Sequence, residues 1–132
     1  MRFKLWLEFE EFRECTYEDL KDEIDPFDPD DDFCNIHVYL EDGNNYALNI
    51  WTYKYLEQAS KEMIKDYEYF KSNNVSGCFE YFHPPDLFVT RLDRPTIQMI
   101  FRNLINQGQM KEDWRFDVGN NNFLLDESNL IY

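Results

Sequence analysis

The alternating aspartates of residues 28–32 have the residue types and the spacing of a calcium-binding loop. Asp28, Asp30 and Asp32 match the first three oxygen ligands of an EF-hand loop. The match then ends, because Phe33 stands where a glycine makes the sharp turn and Tyr39 stands where a bidentate glutamate completes the shell. The pattern therefore predicts no dedicated metal site.

A nucleophilic enzyme would need a cysteine or serine beside a base, and the sequence offers few candidates. The cysteines are Cys15, Cys34 and Cys78, too far apart for a Cys-x-x-Cys zinc or redox motif, and the histidines are His37 and His83. No Gly-x-Ser-x-Gly elbow or phosphate-binding glycine loop is present. The sequence thus favours a protein that is not an enzyme and needs no cofactor. A small enzyme using Cys78 and His83 is the less favoured alternative.

The acidic residues are the strongest chemical signal. The chain has 27 Asp and Glu against 13 Lys and Arg, a net charge of −14, and residues 1–32 carry −9 of it. A field of this sign repels nucleic acids and anionic membranes, and it attracts basic proteins. A run of carboxylates is usually a solvated face. However, the carboxylates of a contiguous acidic surface repel one another and so destabilise the fold, and a cationic partner would relieve that repulsion.

We therefore predict a basic protein partner, and we expect neither nucleic acid nor membrane to be bound. The carboxylates expected to contact the partner come from the acidic segment 10–32 and from the hairpin turn that follows. They are Glu10, Glu11, Glu14, Asp25, Asp28, Asp30, Asp31, Asp32, Glu41 and Asp42.

Hydrophobic periodicity predicts the elements that position these residues in the first half of the chain. Alternating apolar residues indicate a strand over 3–9 and a hairpin with strands over 33–41 and 46–51, joined by a turn rich in Asp, Gly and Asn. Residues 10–32 are predicted to be irregular, because prolines and mutually repelling carboxylates disfavour helix and strand, apart from a possible short helix over 16–24.

In the second half of the chain, capping residues and hydrophobic periodicity predict two helices. Thr52 begins a helix whose apolar residues step by three or four as far as Phe70, and Asp93 begins another that ends near Gly108. Two further strands are predicted over 78–82 and 87–92. Trp114 is expected to pack back on the fold, while the tail 116–132 is left unassigned.

These elements indicate an α+β fold, with an antiparallel or mixed sheet and helices packed on one face. The chain has 132 residues, of which 43% are apolar, so residues 1–132 are expected to form a single domain. No signal peptide or apolar run of membrane-spanning length is visible. We expect a cytoplasmic protein with reduced thiols.

The segment Leu48–Leu56, a strand running into Thr-x-Lys-x-Leu at a helix start, resembles small bacterial immunity proteins, especially the immunity-protein-8 type. The later order is similar: the strand Leu87–Val89, the helix around Ile97–Phe101, and then Trp114. The resemblance covers roughly residues 33–115.

The resemblance implies a cytoplasmic antidote without catalytic residues. Its partner would be the C-terminal toxin domain of a contact-dependent growth inhibition effector, often a nuclease with a basic cleft. An acidic inhibitor suits such a cleft, and charge steering speeds its capture. A second possibility from the charge alone is an acidic nucleic-acid mimic that inhibits a DNA- or RNA-binding protein.

Overall fold

The computed structural model of the chain describes residues 1–11, 27–73, 83–116 and 130–131. In chain order its elements are β1 (Phe3–Leu7), α1 (Glu8–Glu11), β2 (Phe33–Leu40), β3 (Asn45–Thr52), α2 (Tyr53–Ser72), β4 (Leu87–Val89), α3 (Arg94–Asn106), a 3₁₀ helix (Glu112–Trp114), β5 (Arg115–Phe116) and β6 (Leu130–Ile131). The short helix predicted over 16–24, the strand predicted over 78–82 and the tail from 117 to 129 lie outside the described residues.

The strands form one mixed sheet in the order β4-β3-β2-β1-β6, and β5 pairs with the start of β3. β3 and β4 run parallel, and β2 is antiparallel to both β1 and β3. The predicted α+β class, with a single sheet, is confirmed. No helix in the described ranges is long and apolar enough to cross a membrane.

The predicted hairpin is confirmed with nearly the predicted boundaries. Gly43 adopts a φ of +94° at the turn, a conformation that glycine reaches without the steric cost other residues incur. The Asp42 carboxylate accepts the Asn44 amide at 2.9 Å, and the Leu40 amide donates to the Asn44 carbonyl at 2.9 Å. The turn residues therefore set the β2–β3 register, which decides which side chains face the core.

One face of the sheet, here called the core face, packs against α3. Ile36, Ile50 and the α3 residues Ile97 and Phe101 are completely buried. The Asp93 carboxylate caps α3 by accepting the Thr96 amide at 2.8 Å, and Gly108 beyond the helix has a φ of +64°. Both ends of α3 thus follow the prediction.

The strand predicted over 3–9 is wrong at its end. The chain leaves the sheet at Leu7 and makes the short helix α1, yet Phe9 stays buried and stacks on Phe27 at 5.1 Å. A helical turn can bury its second residue as well as a strand can, so alternation alone could not locate the break.

The helix α2 begins where predicted but stands apart from the core. The Thr52 hydroxyl caps it by accepting the Tyr55 amide at 3.1 Å. Its apolar stripe, which includes Leu56, Met63 and Phe70, is only half-buried, and none of its residues belongs to the buried cluster. The core of the described residues is therefore built mainly from the sheet and α3, with Phe9, Leu92 and Trp114 added to it.

Candidate partner-binding surface

The carboxylates of the predicted acidic loop are used largely by the loop itself. Asp28 accepts the Asp30 amide at 3.0 Å, and Asp32 accepts the amides of Phe33 at 2.8 Å and Asp28 at 3.3 Å. The Asp31 amide donates to the Asp28 carbonyl at 3.1 Å. Short polar side chains commonly close turns in this way. We call residues 28–32 the acidic turn.

The spacing of an EF-hand loop does not produce a calcium-type arrangement in this part of the chain. Phe33 and Tyr39, which occupy the positions of the turn glycine and the bidentate glutamate, both lie in β2. Within the described ranges, no group of three or more His, Cys, Asp or Glu side chains is placed to hold a metal ion.

Arginines neutralise several of the predicted binding carboxylates. Arg91 donates to Asp30 at 2.6 Å and to Asp93 at 2.7 Å. Arg94 forms a two-point contact with Glu10. These exposed or half-exposed pairs contribute little to stability, but they reduce the local acidity that a partner would meet.

The carboxylates of the hairpin turn also accept hydrogen bonds from within the chain. Arg2 donates its backbone amide and its side chain to Glu41, each at 3.0 Å, and these bonds lower the pKa of Glu41. Asp42 accepts from Asn44. Glu14, Asp25 and the side chain of Glu11, also predicted to bind the partner, lie outside the described residues.

The cysteine and histidine candidates do not assemble into a catalytic group among the described residues. Cys34 is buried in the core face, and burial, aided by the charges of Glu8 and Asp32, raises the pKa of its thiol to about 12. Such a thiol is not a nucleophile at neutral pH. His83 is exposed, and its suggested partner Cys78 lies outside the described residues.

The opposite side of the sheet, which we call the outer face, carries a set of aromatic and amide side chains. Trp6 lies opposite His37 across β1 and β2, with ring centroids 4.8 Å apart. The His37 Nδ1 is 2.9 Å from the Tyr39 hydroxyl. Burial lowers the pKa of His37, against the opposing effect of Glu8, which favours the neutral imidazole.

A chain of hydrogen bonds crosses the outer face at the next row of residues. The Trp51 indole donates to the Asn49 Oδ1 at 2.9 Å, and the Asn49 Nδ2 donates to the Asn35 Oδ1 at 3.2 Å. The Asn35 Nδ2 then donates to Glu8 at 3.1 Å. On the β4 side of β3, Asp86 accepts the Asn49 backbone amide at 2.8 Å. The two side-chain amides thus link Trp51 to Glu8, and Asp86 joins the row through the backbone of Asn49.

A shallow depression of about 270 Å³ lies in the middle of this row. Its side-chain lining comes from Asn35, His37, Ala47, Asn49 and Asp86. Ala47 lies opposite His37 and is the smallest side chain on this part of the outer face, so its missing volume makes the depression. We call it the outer depression.

A second aromatic group joins the outer face to the acidic turn. The Tyr55 ring lies 5.0 Å from both Phe33 and Trp51. Burial raises the pKa of Tyr55, and the charges of Asp32 and Asp31 raise it further. Aromatic side chains next to carboxylates are typical of protein interfaces.

Sequence reasoning identified the acidic turn but not the outer depression. His37 was recognisable as out of phase with Ile36 and Val38. The usable signal was that the outward positions of β2 and β3 hold Asn, His, Ala and Trp where a solvated face would hold Lys, Glu or Thr. Comparison with protein-family models, with curated proteins and with solved structures finds no match to this chain.

Proposed function

We propose that this chain is an immunity protein that binds and neutralises a cognate toxin in the cytoplasm. The toxin would be a basic nuclease domain at the C-terminus of a contact-dependent growth inhibition effector. The observation that supports this most is the outer face, where aromatic rings and hydrogen-bond acceptors lie between Glu8 and Asp86 on a well-packed sheet. Such a surface suits a basic protein better than a small substrate.

The charge supports the same proposal kinetically. A net charge of −14 attracts a basic domain from a distance. An antidote benefits from fast capture, because free toxin acts until it is bound. Electrostatic steering can raise association rates to about 10⁸–10⁹ M⁻¹s⁻¹. Inhibition by binding needs no catalytic group, so the proposal makes no demand on Cys34, His37 or His83.

The test begins with the gene that neighbours the one for this chain, which the proposal expects to encode the toxin domain. The two proteins would be co-expressed and scored for growth rescue, and the purified toxin would be assayed for nuclease activity with rising amounts of the chain. We expect rescue and complete inhibition at equimolar amounts. A toxin that kills and cleaves equally well with the chain present would contradict the proposal.

A second assay separates the alternatives. Under the proposal, the chain alone turns over no ester, phosphoester or peptide substrate; turnover that disappears in Cys78→Ala or His83→Ala would support the enzyme alternative. Inhibition of several unrelated nucleic-acid-binding proteins, relieved by added DNA, would support a nucleic-acid mimic instead of a specific antidote.

A further inference from the structure

The hydrogen bonds around the outer depression have a fixed direction. The Trp51 indole can only donate, so the atom of Asn49 facing it is the oxygen. At the other end the carboxylate of Glu8 accepts, so the atom of Asn35 facing it is the nitrogen. The bond between the two amides is consistent with both constraints. The two amide orientations therefore follow from their neighbours.

This direction determines what the depression offers to a ligand. Asn49 uses both of its side-chain N–H donors within the chain and Asn35 uses one, whereas each amide oxygen keeps a second lone pair. Asp86 adds a charged acceptor to the lining, and Glu8 adds a second charge beyond Asn35; both carboxylates accept backbone amides, of Asn49 and Asn35 respectively. The depression is therefore rich in acceptors and lies in a negatively charged setting.

The shape of the outer depression further limits the kinds of ligand that can bind in it. The acceptors of Asn35, Asn49 and Asp86 lie in a row across neighbouring strands, with Ala47 leaving room for one long side chain. The imidazole of His37, which also packs against Trp6 and Phe116, contributes to the lining of the same space. A guanidinium has five donors in a planar fork and stacks on rings, whereas an ammonium is a compact point charge.

We propose that the outer depression binds an arginine side chain presented by the protein partner, with the guanidinium donating to Asp86 and to the oxygens of Asn35 and Asn49. The negative charge of Asp86 in the lining, with that of Glu8 beyond Asn35, complements the positive charge of the arginine. The partner class rests on the proposed function, whereas the arginine site itself can be tested without the toxin.

The test is a titration of the ¹⁵N-labelled full chain with the peptide acetyl-Gly-Arg-Gly-amide, followed by NMR. The reporters are the Trp51 indole N–H and the side-chain amides of Asn35 and Asn49. We expect these signals to shift together. The matched peptide with citrulline in place of arginine has the same shape without charge, and we expect it to bind about tenfold more weakly.

Two variants test the geometry. Asp86→Asn keeps an acceptor for the Asn49 amide but removes the charge, so affinity for the arginine peptide should fall about tenfold. Ala47→Leu fills the depression without changing the charge, and should abolish the shifts. The control is Asp66→Asn, which removes an exposed carboxylate from α2 and should leave the titration unchanged.

Several outcomes would overturn the inference. The first two are equal binding of the citrulline peptide and no shift with either peptide. The third is a set of shifts that persists in both Asp86→Asn and Ala47→Leu. The fourth is a change in the reporter signals when the chain is simply diluted, which would indicate a second copy of the chain as the occupant. Growth rescue by the unaltered chain without peptide binding would remove only the arginine site. Peptide binding without rescue would remove only the toxin partner.

Discussion

The acidic turn and the outer depression both contain carboxylates, but they differ in where those carboxylates point. In the turn, Asp28 and Asp32 accept backbone amides of the turn itself, and Asp30 is held by Arg91. At the depression, Glu8 and Asp86 each accept a strand backbone amide, and Asp86 also lines a space that the amide oxygens of Asn35 and Asn49 supply with further acceptors. The density of acidic residues in a sequence therefore does not measure how many acceptors a partner can reach.

Of the changes that test this difference between the two regions, the one at the depression should have the largest effect, and that effect is on partner binding. Changing Glu8 to Gln and Asp86 to Asn together removes the charge that lines the depression and the charge next to it, but keeps an acceptor for each strand backbone amide. We expect affinity for the proposed toxin domain to fall by about 100-fold, because Asp86→Asn weakens the charged hydrogen bond to the arginine and Glu8→Gln removes a second negative charge nearby. Calorimetry measures the affinity.

The same double variant should lower the free energy of unfolding by only about 1 kcal/mol, because the strand backbone amides keep acceptors and only the Asn35 side-chain donor loses its carboxylate oxygen. Urea unfolding checks this. A double variant that binds the toxin domain as tightly as the parent would show that the depression is not the main contact.

The next effect concerns the attachment of the acidic turn to the sheet. The Thr52 hydroxyl, fully buried, accepts the Tyr55 amide at 3.1 Å and the Asp32 amide at 3.2 Å, and the Thr52 amide donates to the Asp32 carbonyl. Thr52→Ala deprives two donors of their acceptor, so we expect a loss of about 2 kcal/mol of unfolding free energy.

Urea unfolding compares this variant with two controls. Thr52→Ser keeps the hydroxyl and should lose less than half as much, and Thr90→Ala, at an exposed position, should change little. Equal losses for Thr52→Ala and Thr52→Ser would mean that the methyl group, and not the hydroxyl, holds the turn.

A smaller effect depends on pH and follows from the link between the turn and α3. Hydrogen bonds from Thr96, and then from Arg91, lower the pKa of Asp93. A carboxyl whose pKa is lower in the folded state stabilises the fold above its unfolded pKa of about 3.9, and that stability is lost as the pH falls through the folded value.

Asp93→Asn keeps a capping side chain but removes the charge. We expect it to lower the unfolding free energy by about 0.5–1 kcal/mol at pH 7, since Asn is itself a good cap. The difference from the parent should shrink as the pH drops below about 4. Unfolding measured across pH 2–7, with Asp66→Asn as the charge control, tests this; a gap that stays constant down to pH 2 would contradict it.

The sequence predicted the local features of this fold because local chemistry determines them. The turn around Gly43 and the caps Thr52 and Asp93 were each visible in a few neighbouring residues. Long-range partners were not visible: Asn35 meets Glu8 from 27 positions away, and Arg91 meets Asp30 from 61 positions away. Which carboxylates were already paired depended on contacts that no short motif encodes.

The candidate site was missed for a related reason. Ala47 carries no signal by itself, because an alanine in a strand is usually unremarkable. It matters only once the β2–β3 register sets it opposite His37 and beside the two amides. The acidic turn, in contrast, was conspicuous in composition, and its internal bonds then made its carboxylates less available than their number suggests.

The smallest expected effect is on the rate of partner association. Changing Asp28, Asp30, Asp31 and Asp32 to Asn removes four negative charges, while the Asn oxygens can still close the turn. Because Asp30 already offsets Arg91, we expect the association rate with the toxin domain to fall only a few-fold at low salt, with little change in dissociation. Exposed charges act over about 8 Å at physiological salt, so the difference should fade as salt is added.

Stopped-flow association at two salt concentrations, run in parallel on the Glu8→Gln/Asp86→Asn variant, separates the two regions. We expect the turn variant to act on association and the depression variant mainly on dissociation. If the turn variant keeps the parent's association rate at low salt, the turn takes no part in capture. If its complex also dissociates as fast as that of the depression variant, the turn lies inside the contact, and the contrast between the two regions fails.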